Sequence, residues 1–147
     1  MARLFRLFKP RDPALPPGQR LGMAGEKLAA RYLKKELGMR VVAQRVLCPR
    51  GEIDLVAFDK GDLVFIEVRT RATDDFGPPE KTVDAEKRRA IRHAAQWFAR
   101  SRRLSHYPIR LDLVAIVWPP DQPPRLRYHR SAFAMQNDRF DRGSPRG

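Results

Sequence analysis

The residues of this chain best suited to chemistry are carboxylates on two short apolar runs. Gly51-Glu52-Ile53-Asp54-Leu55 and Phe65-Ile66-Glu67-Val68-Arg69 lie on either side of Asp59-Lys60-Gly61-Asp62, and such a turn between β-branched runs is a hairpin signal. With Lys60 and Gly61 as the loop, the pairs Asp59–Asp62, Phe58–Leu63, Val56–Phe65, Asp54–Glu67 and Glu52–Arg69 face each other. Side-chain alternation is taken to put these pairs on one face and Ile53, Leu55, Ala57, Val64, Ile66 and Val68 on the other. Directly opposed residues have Cβ atoms about 4.5–5.5 Å apart. Two carboxylates about 5 Å apart repel by roughly 3 kcal/mol at an effective dielectric near 20. A shared proton, a neighbouring cation or a divalent metal must offset that repulsion. Two carboxylates with waters and a substrate phosphate form a hard oxygen site that suits Mg²⁺ or Mn²⁺. Arg69 points to the same side, where it can meet a scissile phosphate or stabilise transition-state charge. The plainer alternative is that Arg69 pairs with Glu52 or Glu67 in a strand-end salt-bridge network.

These residues must be carried by one domain, since the chain has 147 residues. Lys and Arg number 30 against 17 Asp and Glu, a net charge of +13. That excess points to a polyanion: nucleic acid first, an anionic membrane surface second. The alternative is codon bias, because most of the basic residues are Arg. A single cysteine, Cys48, excludes an intrachain disulfide framework and a cysteine-based zinc site. No apolar run approaches the roughly 18 residues of a membrane span, and Met1–Lys9 is broken by Arg3 and Arg6, unlike a signal peptide. The expected location is the cytoplasm. Phosphate-loop, G-x-G-x-x-G and G-x-S-x-G motifs are absent, and His93, His106 and His129 lack ligand spacing.

The element order reads α-β-β-β-α-β. Residues 1–20, with five basic residues and four prolines, read as a basic flexible arm that is either untethered, phosphate-gripping or membrane-contacting. Met23–Leu37 reads as a helix stopped by Gly38, Arg40–Leu47 as a strand, and Ile53–Phe58 and Leu63–Arg71 as the hairpin. Residues 72–82 read as a loop, Asp84–Arg103 as a second helix, Ile109–Trp118 as a buried strand and Arg125–Tyr128 as a short strand. Residues 134–147 read as a disordered tail. The expectation is an α/β domain over 21–133, a mixed central β-sheet flanked by two main helices.

Gly25-Glu26, Gly51-Glu52-Ile53-Asp54-Leu55, Leu63-Val64-Phe65-Ile66-Glu67-Val68-Arg69, Lys87 and Arg110-Leu111-Asp112-Leu113-Val114 together resemble the bacterial YraN-like family over roughly residues 21–133. That family is similar to the PD-(D/E)XK nuclease superfamily and its Holliday junction resolvases. The resemblance implies a restriction-endonuclease-like core and a metal-dependent endonuclease on DNA, branched DNA included, with Mg or Mn as cofactor. It implies Asp54 and Glu67 as metal ligands, Glu26 as the helix glutamate completing the site, and Arg69 at the superfamily's catalytic-lysine position. Lysine can lose its proton and activate water, whereas arginine effectively cannot. Arg69 would therefore act electrostatically, with water at the metal as nucleophile. Glu26 also has a simpler reading, as an acid in the first turn complementing the helix dipole. Glu52 reads as a salt-bridge residue, and Asp112 as the partner of Arg110 or of a local hydrogen bond rather than a metal ligand.

Lys87–Arg103 holds seven basic residues and no acid. Lys87, Arg88, Arg92 and Arg103 are the candidate nucleic-acid contacts, with Arg88, Arg92 and Arg103 expected on a face away from Ile91 and Phe98. The alternative is a solvated face. Trp97, Phe98 and Trp118 are expected in the core. DNA is expected ahead of RNA, and cutting both strands would suit a homodimer. Two other readings remain: a binding module with a nuclease fold that grips DNA or RNA without cutting, and an adaptor using the basic arm on a membrane or protein.

Overall fold

The computed structural model describes residues 17–75 and 77–135. Most of the expected basic arm and nearly all of the expected tail fall outside these residues. Helix α1 spans Pro17–Lys35, strand β1 Arg40–Cys48, β2 Gly51–Asp59 and β3 Asp62–Arg71. A 3₁₀ turn at Pro79–Thr82 precedes helix α2, Ala85–Ser101, which is followed by β4, Ile109–Val117, and β5, Arg125–Phe133. α1 starts six residues earlier than its apolar spacing predicts, taking in residues 17–20 of the expected arm. Proline is favoured in a helix's first turn, where its missing N–H has no partner to lose; Gly18 and Gly22 hide the helix from a propensity reading. β5 runs five residues further than expected.

The strands form one sheet in the order β1-β2-β3-β4-β5. Every neighbouring pair is antiparallel except β3–β4. A parallel pair needs a crossover, and the stretch containing α2 supplies it. This is the mixed α/β architecture of a restriction-endonuclease-like core. The β2–β3 register is the expected one from Asp59–Asp62 to Leu55–Ile66. Lys60 (φ +48°) and Gly61 (φ +93°) both take positive φ, as a type I′ turn requires.

Each face of the sheet is covered by one helix. α1 packs Leu28, Ala29 and Leu33 against Leu55, Ala57, Val64, Ile66, Val114 and Ile116. α2 packs Ala94, Ala95, Phe98 and Ala99 against Val56, Leu63, Phe65 and Leu111. Phe98 and Trp118 are core residues as expected, but Trp97 is 36% exposed. Two face assignments are corrected. Ile53 packs with the α2 cluster, and Asp59 and Asp62 turn to Arg110, because neighbouring strand residues point to opposite faces.

At the closed end of the hairpin, Arg110 is 8% exposed and Asp112 is fully buried. Arg110 donates from Nη2 to Asp59 Oδ2 (2.8 Å), from Nη1 to Asp62 Oδ2 (3.1 Å), and from Nε to Asp112 Oδ1 (3.1 Å). The Tyr128 hydroxyl and the Ser131 N–H also donate to Asp112. The expectation that Asp112 serves Arg110 and local hydrogen bonding is met. The buried donors and carboxylates satisfy one another, tying the β2–β3 turn to β4 and β5.

Arg110→Leu leaves three carboxylates without their cation and is expected to lower unfolding free energy by about 3–5 kcal/mol in a denaturant titration. At Gly25 the backbone of α1 meets β3: a Cβ there would lie 1.9 Å from Thr70 Oγ1 and 2.9 Å from Thr70 Cβ. Thr70 is β-branched and stiff, so Gly25→Ala is expected to cost about 1–3 kcal/mol through overpacking despite alanine's better helix propensity. The same titration on Gly25→Ala combined with Thr70→Ala recovers part of that loss.

Candidate functional site

The site begins where the hairpin ladder stops. Past Leu55–Ile66, β2 continues to pair with β1 (Ile53 with Val46, Glu52 with Leu47). β3 continues to pair with β4 (Glu67 with Leu113, Arg69 with Ala115). The two central strands therefore part, and Asp54 fills the opening: its Oδ2 accepts the Val68 N–H at 2.8 Å in place of a backbone carbonyl. Asp54 and Glu67 are thus not a ladder pair as the facing register required, but they remain electrostatic neighbours.

Around Asp54 the acids come from three elements. Glu26 of α1, Glu52 and Asp54 each place a carboxylate oxygen within 4.8 Å of the others. Glu67 is 6% exposed, with Arg69 Nε at 3.3 Å and Lys87 Nζ at 3.6 Å from its Oε1. Arg69 Nε is close enough for an ion pair but has no hydrogen-bond partner, so the contact is one of charge and not of aligned donation. Lys87 is placed by its own backbone, whose N–H donates to the cap residue Asp84 at 2.8 Å. Ile91 of α2 joins Glu52, Asp54 and Glu67 in lining a small pocket there.

Burial pushes the Asp54 carboxyl up to about 7, and the Glu67 charge pushes in the same direction; the Val68 N–H and the Lys87 charge oppose it. Glu26 is also raised, by burial first, although its hydrogen bond from Arg45 pulls down. Arg45 Nε lies 2.7 Å from Glu26 Oε2. Arg45 has φ +49° and stands opposite Asp54, between the pairs Gln44–Leu55 and Val46–Ile53. Crowded, partly buried oxygens of this kind are hard donors that fit Mg²⁺ or Mn²⁺.

Of the residues singled out by sequence, Glu26, Asp54, Glu67, Arg69 and Lys87 converge. Glu26 lies mid-helix and not in the first turn, so the dipole explanation no longer applies to it. Glu52, expected in a salt bridge, instead joins Glu26 and Asp54; its spacing of two from Asp54 is the sequence signal for this. Nothing in the sequence marks Arg45; the β1–β2 register brings it to the site. Arg88, Arg92 and Arg103 do not share one outer face. Arg92 is 8% exposed, because it follows Arg88 by four and precedes Ala95 by three on the inward stripe. Arg88 is half-buried and Arg103 lies exposed beyond the helix end.

The Asp54 shift has a direct consequence for stability. An aspartate ionises near 3.9 when unfolded and here near 7, so the folded state binds the proton more tightly. Its stability contribution is present below about pH 4 and lost as pH rises through 7. Asp54→Asn keeps an acceptor for the Val68 N–H and removes that loss. In chelator-treated protein its melting temperature is expected to exceed the wild type's by several degrees at pH 8, the gap closing toward pH 4.

Residues 25–116 match the family described as "Uncharacterised protein family UPF0102". Curated relatives called UPF0102 protein include one from Solibacter usitatus, 45% identical over 114 residues, covering 76% of this chain and 84% of the relative. Another, from Renibacterium salmoninarum, is 42% identical over 110 residues, covering 75% and 92%. One from Pseudomonas fluorescens is 40% identical over 116 residues, covering 78% and 94%. With this match running from Gly25 in α1 through β1, β2, β3 and α2 to Ile116 in β4, the chain belongs to the protein family UPF0102.

Proposed function

We propose that the protein is a metal-dependent endonuclease acting on DNA, branched DNA included. One observation carries the reading: Glu26, Glu52 and Asp54 bring carboxylate oxygens within 4.8 Å of one another at the opening between β2 and β3. Asp54 belongs to this group and is also the electrostatic neighbour of Glu67. Mg²⁺ or Mn²⁺ held by these carboxylates would supply Lewis acidity toward a phosphodiester and would lower the pKa of water.

The chain's own residues then have separable tasks. Asp54, Glu26, Glu52 and Glu67 offer oxygens. Arg69 and Lys87, both against Glu67, present fixed positive charge to the phosphate, where an ordered cation stabilises developing negative charge. Arg69 keeps its proton and serves only in that electrostatic role. In the hydrolysis, water oxygen bonds to phosphorus and gives up one proton as the bond to the departing sugar oxygen breaks, and that oxygen takes up one proton, so none is gained or lost overall. The net charge of +13 favours a long polyanion over a small phosphate ester.

A second reading, a non-cutting DNA or RNA binder with the same fold, is favoured by two observations. Arg45 already holds a Glu26 oxygen, and the strand cation beside Glu67 is an arginine that cannot exchange a proton. Among the described residues no helix is long and apolar enough to cross a membrane.

The test uses labelled duplex, single-stranded and four-way-junction DNA with Mg²⁺ or Mn²⁺. Expected is metal-dependent cleavage that falls at least about 100-fold in Asp54→Ala, since even groups that only support a metal's ligands cost 10–100-fold when removed. Salt-sensitive binding without cleavage selects the second reading. Cleavage that survives Asp54→Ala overturns the site.

A further inference from the structure

The outer surface of α2 carries a feature that the carboxylate site does not use. Arg89, His93, Trp97 and Arg100 are all exposed, and at 100° per residue they fall within a single arc of the helix. Trp97 is 36% exposed, whereas the chain's other tryptophan, Trp118, is 7% exposed on the α1 side of the sheet. The only acid of α2 is Glu86, in its first turn. The stripe connects to the site: Arg50, in the turn between β1 and β2, donates from Nη1 to His93 Nε2 at 3.4 Å, and Glu52 follows two residues later on β2. At the start of the same helix, Lys87 touches Glu67.

An indole on a surface of guanidinium groups is poorly explained by packing, since α2 already buries Phe98 and three alanines on its inner side. Duplex DNA keeps the faces of its bases stacked and shows a helix only phosphates and the base edges in its grooves. A single strand offers phosphates to Arg89, Arg100 and Arg50 and an unstacked base to Trp97. Stacking of this kind is indifferent to sequence because every base has a π face. From Lys87 to Arg100 the helix rises about 20 Å, room for several nucleotides. We propose that the outer stripe of α2, Arg89, His93, Trp97 and Arg100 together with Arg50, is a track for a single-stranded segment of nucleic acid, with Trp97 stacking one of its bases. This deepens the nuclease reading by naming the substrate's unpaired part, but it concerns binding and stands without cleavage.

The experiment is intrinsic tryptophan fluorescence of the full-length protein in chelator, where no cutting occurs, titrated with a thymidine 12-mer, a 12-base-pair duplex and inorganic polyphosphate. The 12-mer is expected to quench emission through Trp97 and to bind more tightly than the duplex, while polyphosphate binds with little quenching. Trp97→Leu is expected to abolish the quench and weaken the 12-mer about 5- to 150-fold. Trp97→Phe retains most of the affinity. A quench that persists in Trp97→Leu overturns the track, as does equal quenching by polyphosphate or a preference for the duplex. Cleavage activity and its loss in Asp54→Ala are read separately with metal, so failure of the track and failure of the nuclease reading give different patterns.

Discussion

The opening between β2 and β3 is the constraint on which the rest depends. A backbone ladder cannot simply stop inside a sheet, because a buried N–H without an acceptor is costly. Here the Asp54 carboxylate takes the Val68 N–H, and that one substitution lets two central strands part without leaving that donor orphaned. The parting brings an acid from each of several elements to one place. Glu26 arrives from α1, Glu52 and Asp54 from β2, and Glu67 from β3, with Lys87 arriving from α2.

The two ends of the hairpin treat their acids differently. At the closed end the charges are locked: Arg110 and Asp112 are almost entirely removed from water and satisfy each other through several aligned bonds. At the open end the ion pairs are wetter, with Arg45, Arg69 and Lys87 all partly exposed, and the two to Glu67 are also longer, at 3.3 and 3.6 Å. The buried end holds the register, and the open end leaves its cations partly in water. α1 contributes to the same division, since the close contact of Gly25 with Thr70 fixes the helix on β3 one residue before Glu26.

Much of this was legible in the sequence because it is local. Lys60-Gly61 names its turn, and the turn sets the register as far as Leu55–Ile66. Asp84 names the start of α2, and alternating apolar residues name both faces. What was not legible is non-local. The departure of β2 from β3 depends on which neighbour each strand keeps, so the pairing of Asp54 with Val68, the recruitment of Glu52 and the approach of Arg45 have no sequence signature. The start of α1 was hidden by Pro17, Gly18 and Gly22, and this misplaced Glu26 at a helix end. Arg92 and Trp97 were exchanged between inside and outside because hydrophobicity alone assigned them, whereas the helix's rotation on the sheet decides.

The single parallel pair has a consequence for how the chain assembles. β1, β2 and β3 pair with sequence neighbours, and hairpins of this kind close within microseconds. β4 must wait until the whole stretch 72–108 is looped back, and long-range pairing is slow. In the interval β3 is an uncovered edge whose run Leu63-Val64-Phe65-Ile66 is the kind of segment that templates intermolecular pairing. Glu67 and Arg69, on either side of Val68, interrupt the apolar run directly after it. The same charges that belong to the candidate site therefore act as gatekeepers of the half-built sheet, and removing them both would expose the nascent chain to aggregation.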